Sequence, residues 1–302
     1  MSHPTVTESM VTQSSPKRRR PGRTGSRTTT LVRTLQYLAL AAFLIFLGFP
    51  LLWLISTAFK SSAEINSLVV NLFPLQPTLD NFVAALERQG LVRAAGNSLL
   101  VAVATTIIVT LLSIPGAYVM ARYQGKLRSI GVGYILVSQI FPVILVIIPL
   151  FFILRSVGLV DSLLGLVAVY SVYTLPFSLW MLQGYVAAIP YDIEEAASID
   201  GANKARTLQR VVFPLLMPGL AATAMFSFVS AYNEFFFALV LLQSPENYTL
   251  PIALSTFVGG EGKVAIGPLA AGALLSSIPS IVFFTLLQKR LATGLLSGAV
   301  KG

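Results

Sequence analysis

The sequence predicts an all-α integral membrane protein with six transmembrane helices, and two observations support this fold class. Hydrophobic residues make up 55% of the chain and charged residues only 11%, whereas charged residues are about a quarter of a soluble domain. The apolar residues also gather in six runs, each long enough to cross about 30 Å of hydrocarbon, which takes roughly 20 helical residues. The predicted spans are roughly 35–59, 97–121, 130–154, 162–183, 213–242 and 267–288.

Residues 1–34 form a basic tail before the first span. Basic residues beside a span indicate orientation and contact with anionic headgroups, so the net charge of +9 does not indicate nucleic-acid binding. The first 30 residues lack hydrophobic periodicity, which predicts disorder. A mitochondrial transit peptide is the alternative for this tail. The first apolar run is too long for a signal peptide and lacks a small-residue cleavage site, so it remains as a span.

The distribution of Lys and Arg predicts that both termini are cytoplasmic. If the amino-terminal tail is inside, sixteen of the 21 basic residues fall in inner segments, as the preference of cytoplasmic loops for positive charge requires. The five in outer segments are Lys60, Arg88, Arg93, Arg155 and Lys263.

Prolines predict kinks in two of the spans. Pro142 and Pro149 lie in the third span, and Pro214 and Pro218 lie where the fifth begins. Proline frees backbone groups that neighbouring helices must then satisfy, so these spans should lie inside a helix bundle. The outer connection 60–96 should also contain a short helix near residues 79–88, capped by Thr78 or Asp80.

The inner connection between the fourth and fifth spans contains the most informative segment, residues 190–214. Pro190 is suited to the start of a helix, and Asp192 with Glu195 three residues later resembles a capping box. Gly201 then lies where a helix would end in a left-handed residue. One face of this helix would present Ile193, Ala196, Ala197 and Asp200, spaced i, i+3, i+4 and i+7. From the residues alone, a helix that only connects two spans is an equal alternative.

This segment resembles the EAA loop of ABC importer permeases. The match consists of Glu195-Ala196-Ala197, three residues, Gly201, nine residues, and Val211-Val212-Phe213-Pro214. Val211 and Phe213 replace the usual Ile and Leu, which is a volume-tolerant change. The resemblance implies a coupling helix that docks in a cleft of a cytoplasmic ATPase. The implied coupling residues are Glu195, Ala196, Ala197, Asp200 and Gly201.

Further motifs extend the resemblance over residues 37–302, to the MalG-like membrane subunit of maltose-type sugar permeases. They are Ser56-Thr-Ala-Phe-Lys60, Pro77-Thr-Leu-Asp-Asn81, Asn97-Ser98, Ala117-Tyr118 with Ala121-Arg122, Ala231-Tyr-Asn-Glu-Phe235 and the carboxyl-terminal residues Gly294-Leu-Leu-Ser-Gly-Ala-Val-Lys-Gly302. The resemblance implies the type I ABC importer permease fold for residues 35–290 and a cytoplasmic tail at 291–302. In that subunit the tail reaches toward the ATPase pair. The resemblance therefore implies an ATPase contact for Gly298, Ala299, Val300, Lys301 and Gly302. Simple fraying of the chain end is the alternative.

The resemblance also implies partners and a mechanism. The chain would pair with a second, MalF-like permease, an ATPase homodimer and an extracytoplasmic solute-binding protein, in a bacterial or archaeal cytoplasmic membrane. A mono- to oligosaccharide of the maltose or trehalose kind would cross by alternating access driven by ATP. The residues do not distinguish one sugar from another, and the other permease and the binding protein are expected to carry most of the discrimination.

The sequence indicates a non-catalytic subunit. It has no cysteine, and its one histidine, His3, lies in the tail, so thiol and histidine chemistry are excluded. A phosphate-binding loop needs G-x-x-x-x-G-K-[ST]. The nearest string, Gly259–Val264, fails in residue type and lies in an outer loop. We therefore expect no cofactor on this chain, with ATP and Mg²⁺ bound by the partner ATPase.

Glu234 is the one acid that the sequence places within a predicted span, and such a residue is a functional candidate. With Tyr232 and Asn233 it could face the translocation path, or it could be hydrogen-bonded within the bundle. An ion-coupled secondary transporter using Glu234 is the alternative function, although no convincing inverted repeat supports it. A membrane enzyme would need a nucleophile–base pair that is absent. Four aromatic residues suit either sugar stacking or an interfacial belt: Tyr170, Tyr173, Phe177 and Trp180.

Overall fold

The computed structural model describes residues 26–87, 90–259 and 264–299. It divides the chain into two compact units, Met1–Leu51 and Leu52–Gly302. Helix α1, Ser26–Phe59, begins before the predicted first span. Residues 26–30 are therefore helical, which differs from the disorder predicted for the first 30 residues, while residues 1–25 lie outside the described residues.

The remaining described secondary structure is helical apart from one isolated β-bridge between Val258 and Val264. Two short helices precede α4: α2 is Ser62–Ile65 and α3 is Asp80–Glu87. The central helices are α4 Leu91–Arg122, α5 Lys126–Ile140, α6 Val143–Ser156, α7 Leu163–Ala188 and α8 Tyr191–Ile199. The others are α9 Lys204–Thr207, α10 Phe213–Leu215, α11 Met217–Tyr232, α12 Phe236–Leu241, α13 Leu250–Ser255 and α14 Ile266–Ala299.

Among the described residues, four helices are long and apolar enough to cross a membrane, and two bent helix pairs bring the number to six if each pair is one span. The third predicted span, 130–154, is one of these pairs, because the helix axis bends by 108° between α5 and α6. The helix breaks at Pro142 because proline has no N–H to donate and pushes the preceding residue out of the helical region. Phe141 accordingly has ψ 121°.

The fifth predicted span, 213–242, is also not a single helix. Its axis bends by 76° between Lys204–Leu215 and Met217–Tyr232, where Pro214 and Pro218 fall. A five-residue π-helix, Leu208–Val212, precedes this bend. The long helix then ends at Tyr232, and α12 starts separately at Phe236. The proline kinks predicted for the third and fifth spans are thus present, but as breaks between helices.

The core forms where α4 packs along α7 and α11. Small residues allow these helices to approach closely. A Cβ at Gly116 of α4 would lie 2.6 Å from Leu179 Cδ2 on α7, and one at Gly219 of α11 would lie 2.5 Å from Tyr185 Cγ. A side chain at Gly219 would thus displace Tyr185, and one at Gly116 would displace the end of Leu179, in keeping with small residues at contacts between membrane helices. The largest fully buried side chains are Tyr170, Phe228, Leu166, Leu182, Leu216 and Leu241.

Helix α4 connects two distant parts of the second unit. Tyr118, near its end, contacts α8, while Ser98, near its start, contacts the first residue of α13. A helix rises 1.5 Å per residue, so these positions are about 30 Å apart, the thickness of a bilayer core. We refer to these regions as the α8 end and the α13 end.

Candidate functional site

Helix α8 is the helix predicted between the fourth and fifth spans, and it ends as predicted. Pro190 occupies the N-cap position, and Asp200 follows the last helical residue. Gly201 has φ +80°, a left-handed conformation that glycine adopts without steric cost. The predicted capping box is wrong: α8 has no side-chain cap, because Pro190 takes the N-cap and Asp192 lies inside the first turn.

The exposed side of α8 carries most of the predicted coupling residues. Glu195, Ala196 and Asp200 are exposed, whereas Ala197 is half-buried. Ile199 is 86% exposed on the same helix. The structure thus places small, acidic and apolar side chains together on a short projecting helix.

The opposite side of α8 contains a buried acid that the sequence analysis did not single out. Glu194 is only 4% exposed. Its Oε1 accepts a hydrogen bond from Arg122 Nε at 2.7 Å, and its Oε2 accepts one from the Tyr118 hydroxyl at 2.7 Å. Arg122 also donates from Nη2 to the carbonyl of Ile189 at 2.8 Å and lies 5.8 Å from the centre of the Tyr191 ring. Two residues of α4 therefore hold the first turn of α8.

The segment after α8 supports it from the side. The Asn203 side chain caps α9 by accepting from the Arg206 N–H at 2.9 Å, and the Thr207 side chain is buried. Lys204 donates to the Tyr123 hydroxyl at 2.9 Å, with its ammonium 4.9 Å from the ring centre. Helix α8 packs on α9 and on the π-helix. The EAA-like segment is thus folded as one small structural unit.

The three residues proposed from sequence for a translocation path lie around the break between α11 and α12. Tyr232 is buried and donates to the Ser276 carbonyl of α14 at 3.1 Å. Asn233 is exposed, and its side chain donates to the Val229 carbonyl at 2.9 Å. Glu234 accepts from the N–H groups of Phe237 at 3.0 Å and Ala238 at 3.3 Å. Its carboxylate therefore caps the start of α12, just after the long helix ends.

The α13 end is held by amide and hydroxyl groups that bind backbone. The Asn97 side chain donates to the carbonyls of Glu246 and Tyr248 at 2.9 and 3.0 Å. The Ser98 hydroxyl, 2% exposed, accepts from the Leu250 N–H at 2.8 Å. The Asn97-Ser98 motif thus joins the start of α4 to the loop before α13. In the connection that follows α1, Asn81 similarly donates to the carbonyls of Ala58 and Lys60 at 3.0 and 2.7 Å.

Asp161, between α6 and α7, organises the same end. It has φ +56° and accepts at one carboxylate oxygen from the N–H groups of Gln243 and Ser244 at 2.9 and 3.1 Å. Burial by itself would raise the pKa of Asp161. Hydrogen bonds from the Ser244 hydroxyl, these two N–H groups and Asn247 outweigh burial and lower the pKa from 3.8 to about 2. The charged form is favoured because every partner donates to it.

The other predicted sites differ in how far the structure describes them. The Thr78 hydroxyl accepts from the N–H of Asp80, the first residue of α3, at 3.1 Å, so Thr78 contacts the start of the short outer helix while Leu79 lies between them. In the carboxyl tail, Gly298 and Ala299 belong to α14, so the helix continues well beyond residue 288. Val300, Lys301 and Gly302 lie outside the described residues. Of the four aromatic candidates, Tyr170 is buried, and its hydroxyl lies 3.4 Å from the Glu234 carbonyl.

Comparison with known proteins places the chain in a family. Residues 113–296 match the family described as binding-protein-dependent transport system inner membrane component. The match covers more than half of the chain and includes α8 and the break after α11. The chain belongs to this family, so it is a non-catalytic, multi-pass membrane subunit of a transport system, and ATP is hydrolysed by a partner.

Named relatives agree with this assignment. The chain is 54% identical over 228 residues to a putative ABC transporter permease protein of Streptomyces antibioticus, covering 76% of this chain and 99% of that protein. It is 34% identical over 256 residues to the trehalose/maltose transport system permease protein MalG of Thermococcus litoralis, covering 84% and 91%. The MalG-like resemblance predicted from sequence is therefore confirmed.

A solved structure shows the same fold. A chain of a bacterial ABC transporter that imports the acidic polysaccharide alginate matches with a TM-score of 0.74 and 23% identity, covering 87% of this chain and 98% of that chain. The likeness supports the helical permease architecture.

Proposed function

We propose that this chain is the MalG-like permease subunit of an ATP-driven sugar importer and that α8 is its coupling helix. The observation that carries the proposal is the geometry of α8. Its first turn is held by α4, its end is closed by the left-handed Gly201, and its exposed side presents Glu195, Ala196 and Asp200. A helix that only joined two spans would not need this fixed, outward-facing surface.

The chemistry of this surface suits a cleft on a protein partner. Glu194 is neutralised by Arg122, which leaves Asp192, Glu195 and Asp200 as exposed carboxylates. Beside them, Ala196 allows a close approach and Ile199 offers an apolar contact. The partner cleft should therefore be apolar in its centre and basic at its rim. Such a cleft on each of two ATPase copies would receive α8 and the matching helix of the second permease.

A sugar is the substrate class that the relatives support. The MalG relative is named for trehalose and maltose, and the transporter with the similar fold imports an alginate polysaccharide. The sugar would be delivered by an extracytoplasmic binding protein to the α13 end and cross by alternating access. The break at Tyr232, Asn233 and Glu234 is the proposed lining of the path, because interrupted helices commonly form transporter binding sites.

The chemical role of Glu234 favours an ATP-driven importer over an ion-coupled carrier. Its carboxylate is occupied by two backbone N–H groups and serves as a helix cap. No step of an ATP-driven permease needs this group to exchange a proton.

Reconstitution tests the energy source. The purified chain would be placed in vesicles with its second permease, ATPase pair and binding protein, after a panel of mono- to oligosaccharides has been screened on the binding protein. We expect uptake that requires ATP on the ATPase side and persists when a protonophore is added. Collapse of uptake on adding the protonophore, with ATP still present, would contradict the proposal.

Six crossings with both termini and α8 on the cytoplasmic side form part of the proposal. Because the chain contains no cysteine, single cysteines test its orientation directly. Ser198→Cys on α8 should react with an impermeant maleimide only after the membrane is opened, and Glu246→Cys should react in intact spheroplasts. Reversed accessibility at both positions would contradict the orientation.

A further inference from the structure

We infer that Tyr118, Arg122 and Glu194 act as a strut that transmits movement of α8 to α4, a role that rests on the proposed coupling function. We call these three residues the α4–α8 strut. Tyr118 and Arg122 are positioning residues in this account, since neither is among the residues proposed to meet the ATPase or the sugar.

Short hydrogen bonds hold the strut together. Both carboxylate oxygens of Glu194 are engaged, one by Arg122 and one by Tyr118, each at 2.7 Å. Bonds that involve charged groups are shorter and stronger than neutral ones. Arg122 adds a bond to the Ile189 carbonyl, which lies just before α8. The strut therefore grips α8 at its first turn and at the residue leading into it, which fixes the direction of the helix as well as its position.

The ion pair of the strut is largely shielded from water. The side chains of Arg122 and Glu194 are 11% and 5% exposed. Water competes poorly with an ion pair at such a site, and separating the pair would leave each charge without its partner. A displacement of α8 should therefore move α4 with it, because breaking the contact is the costlier alternative.

Helix α4 lies in the centre of the helix packing. It packs most extensively against α7 and also along α11, with Gly116 in close contact with Leu179 only two residues before Tyr118. Its far end holds the loop before α13 through Asn97 and Ser98. Movement of the strut would therefore reach a continuous helix that extends from the α8 end to the α13 end.

The test uses hydrogen–deuterium exchange of the reconstituted full complex, with MgATP and orthovanadate as the probe, so that the sugar need not be known. In the wild type, we expect nucleotide to change exchange in α8 and also in the last turns of α4, residues 116–122. In Glu194→Gln, we expect the change in α8 to remain and the change in α4 to fall severalfold. The ATPase should still co-purify at wild-type yield.

Matched variants separate transmission from loss of structure. Arg122→Gln should act like Glu194→Gln, and the double variant should be no worse than the more affected single one, because residues in one network are not additive. Glu87→Gln, an exposed acid-to-amide change on α3, should respond like the wild type. If either strut variant inserts poorly, Tyr118→Phe, which removes one hydroxyl, can replace it in the same exchange experiment.

The outcomes distinguish the strut from the function on which it rests. An unchanged response of α4 in Glu194→Gln, or a response that falls only in proportion to lost ATPase binding, would overturn the strut. Additive losses in the double variant would also overturn it. If exchange in wild-type α8 does not change when MgATP and orthovanadate are added, the proposed coupling function itself fails.

Discussion

The two ends of α4 are held by different chemistry. At the α8 end, a buried ion pair and a tyrosine hydroxyl join side chains from two helices, Arg122 and Tyr118 from α4 and Glu194 from α8. At the α13 end, Asn97 and Ser98 bind backbone groups of a loop. At the α8 end, α4 therefore takes part in a buried ion pair between side chains, whereas at the α13 end its neutral side chains bind backbone groups.

This difference indicates different tasks. A loop held through its backbone keeps its shape whatever its side chains contact, which suits a surface that receives a binding protein. The buried ion pair joins α8 directly to α4, beside the packing of α8 on α9 and the π-helix, so a force on the exposed side of α8 can reach α4 through Glu194. Because Asp161 also binds the backbone of Gln243 and Ser244, the α13 end has more than one anchor.

The largest expected effect is at the end of α8. Gly201→Val should cost about 1–2 kcal/mol, because an L-residue is strained in the left-handed region that Gly201 occupies. Such a cost lowers the population of the correctly closed helix by roughly 5- to 30-fold. ATPase co-purification and ATP-dependent uptake should fall together. Gly184→Ala in α7 is the control, since an added Cβ there meets nothing within 4 Å. Normal uptake by Gly201→Val would contradict the proposal that α8 is the coupling helix.

A smaller effect on ATPase binding is expected at the α13 end, where the disturbance should stay local. Ser98→Ala leaves the Leu250 N–H without its acceptor at a buried position, which costs about 1–3 kcal/mol. Hydrogen exchange should accelerate at the start of α13, while α8 and ATPase binding stay unchanged. Ser277→Ala, at an exposed serine of α14, should change neither region. If Ser98→Ala disturbed α8 as strongly as α13, the two ends would not be separately anchored.

The smallest effect is a pH dependence confined to the α13 end. The pKa of Asp161 lies at about 2 in the folded chain against 3.8 for the free side chain. Its stabilising contribution is therefore complete above pH 3.8 and lost as the pH falls through about 2. The effect is small because the group is half-buried and screened by water.

Exchange at Gln243 and Ser244 measures this pH dependence. In the wild type, it should increase between pH 4 and pH 2 beyond the intrinsic change in exchange rate. Asp161→Asn should remove that increase and leave exchange already faster at pH 4. An identical pH profile in the two proteins would show that Asp161 does not anchor this loop.

Composition and periodicity were sufficient to predict the helical class, the approximate ranges of four uninterrupted spans and the left-handed Gly201. They were not sufficient for the breaks, because a proline in a span predicts a kink without specifying its angle. They also placed Glu234 inside a helix, whereas the helix ends at Tyr232 and the carboxylate caps the next one.

The strut illustrates what the sequence could not provide. Glu194 and Glu195 are adjacent acids, and only Glu195 belongs to the motif that resembles the EAA loop. The partner that distinguishes them, Arg122, lies 72 residues before Glu194. Its contact with Glu194 depends on how α8 packs at the end of α4. The motif from Ala117 to Arg122 indicated that these positions matter, but not what they bind.

Photo-crosslinking from each end of the chain tests the central claim, that α8 docks on the ATPase while the α13 end faces the binding protein. The variants Ala196→Cys and Glu246→Cys would each be labelled with a benzophenone maleimide in the assembled complex. After illumination, the subunit crosslinked to the chain would be identified by mass spectrometry. The account predicts that the label at position 196 captures the ATPase and that the label at position 246 captures the binding protein. Capture of the ATPase from position 246, or of the binding protein from position 196, would contradict it.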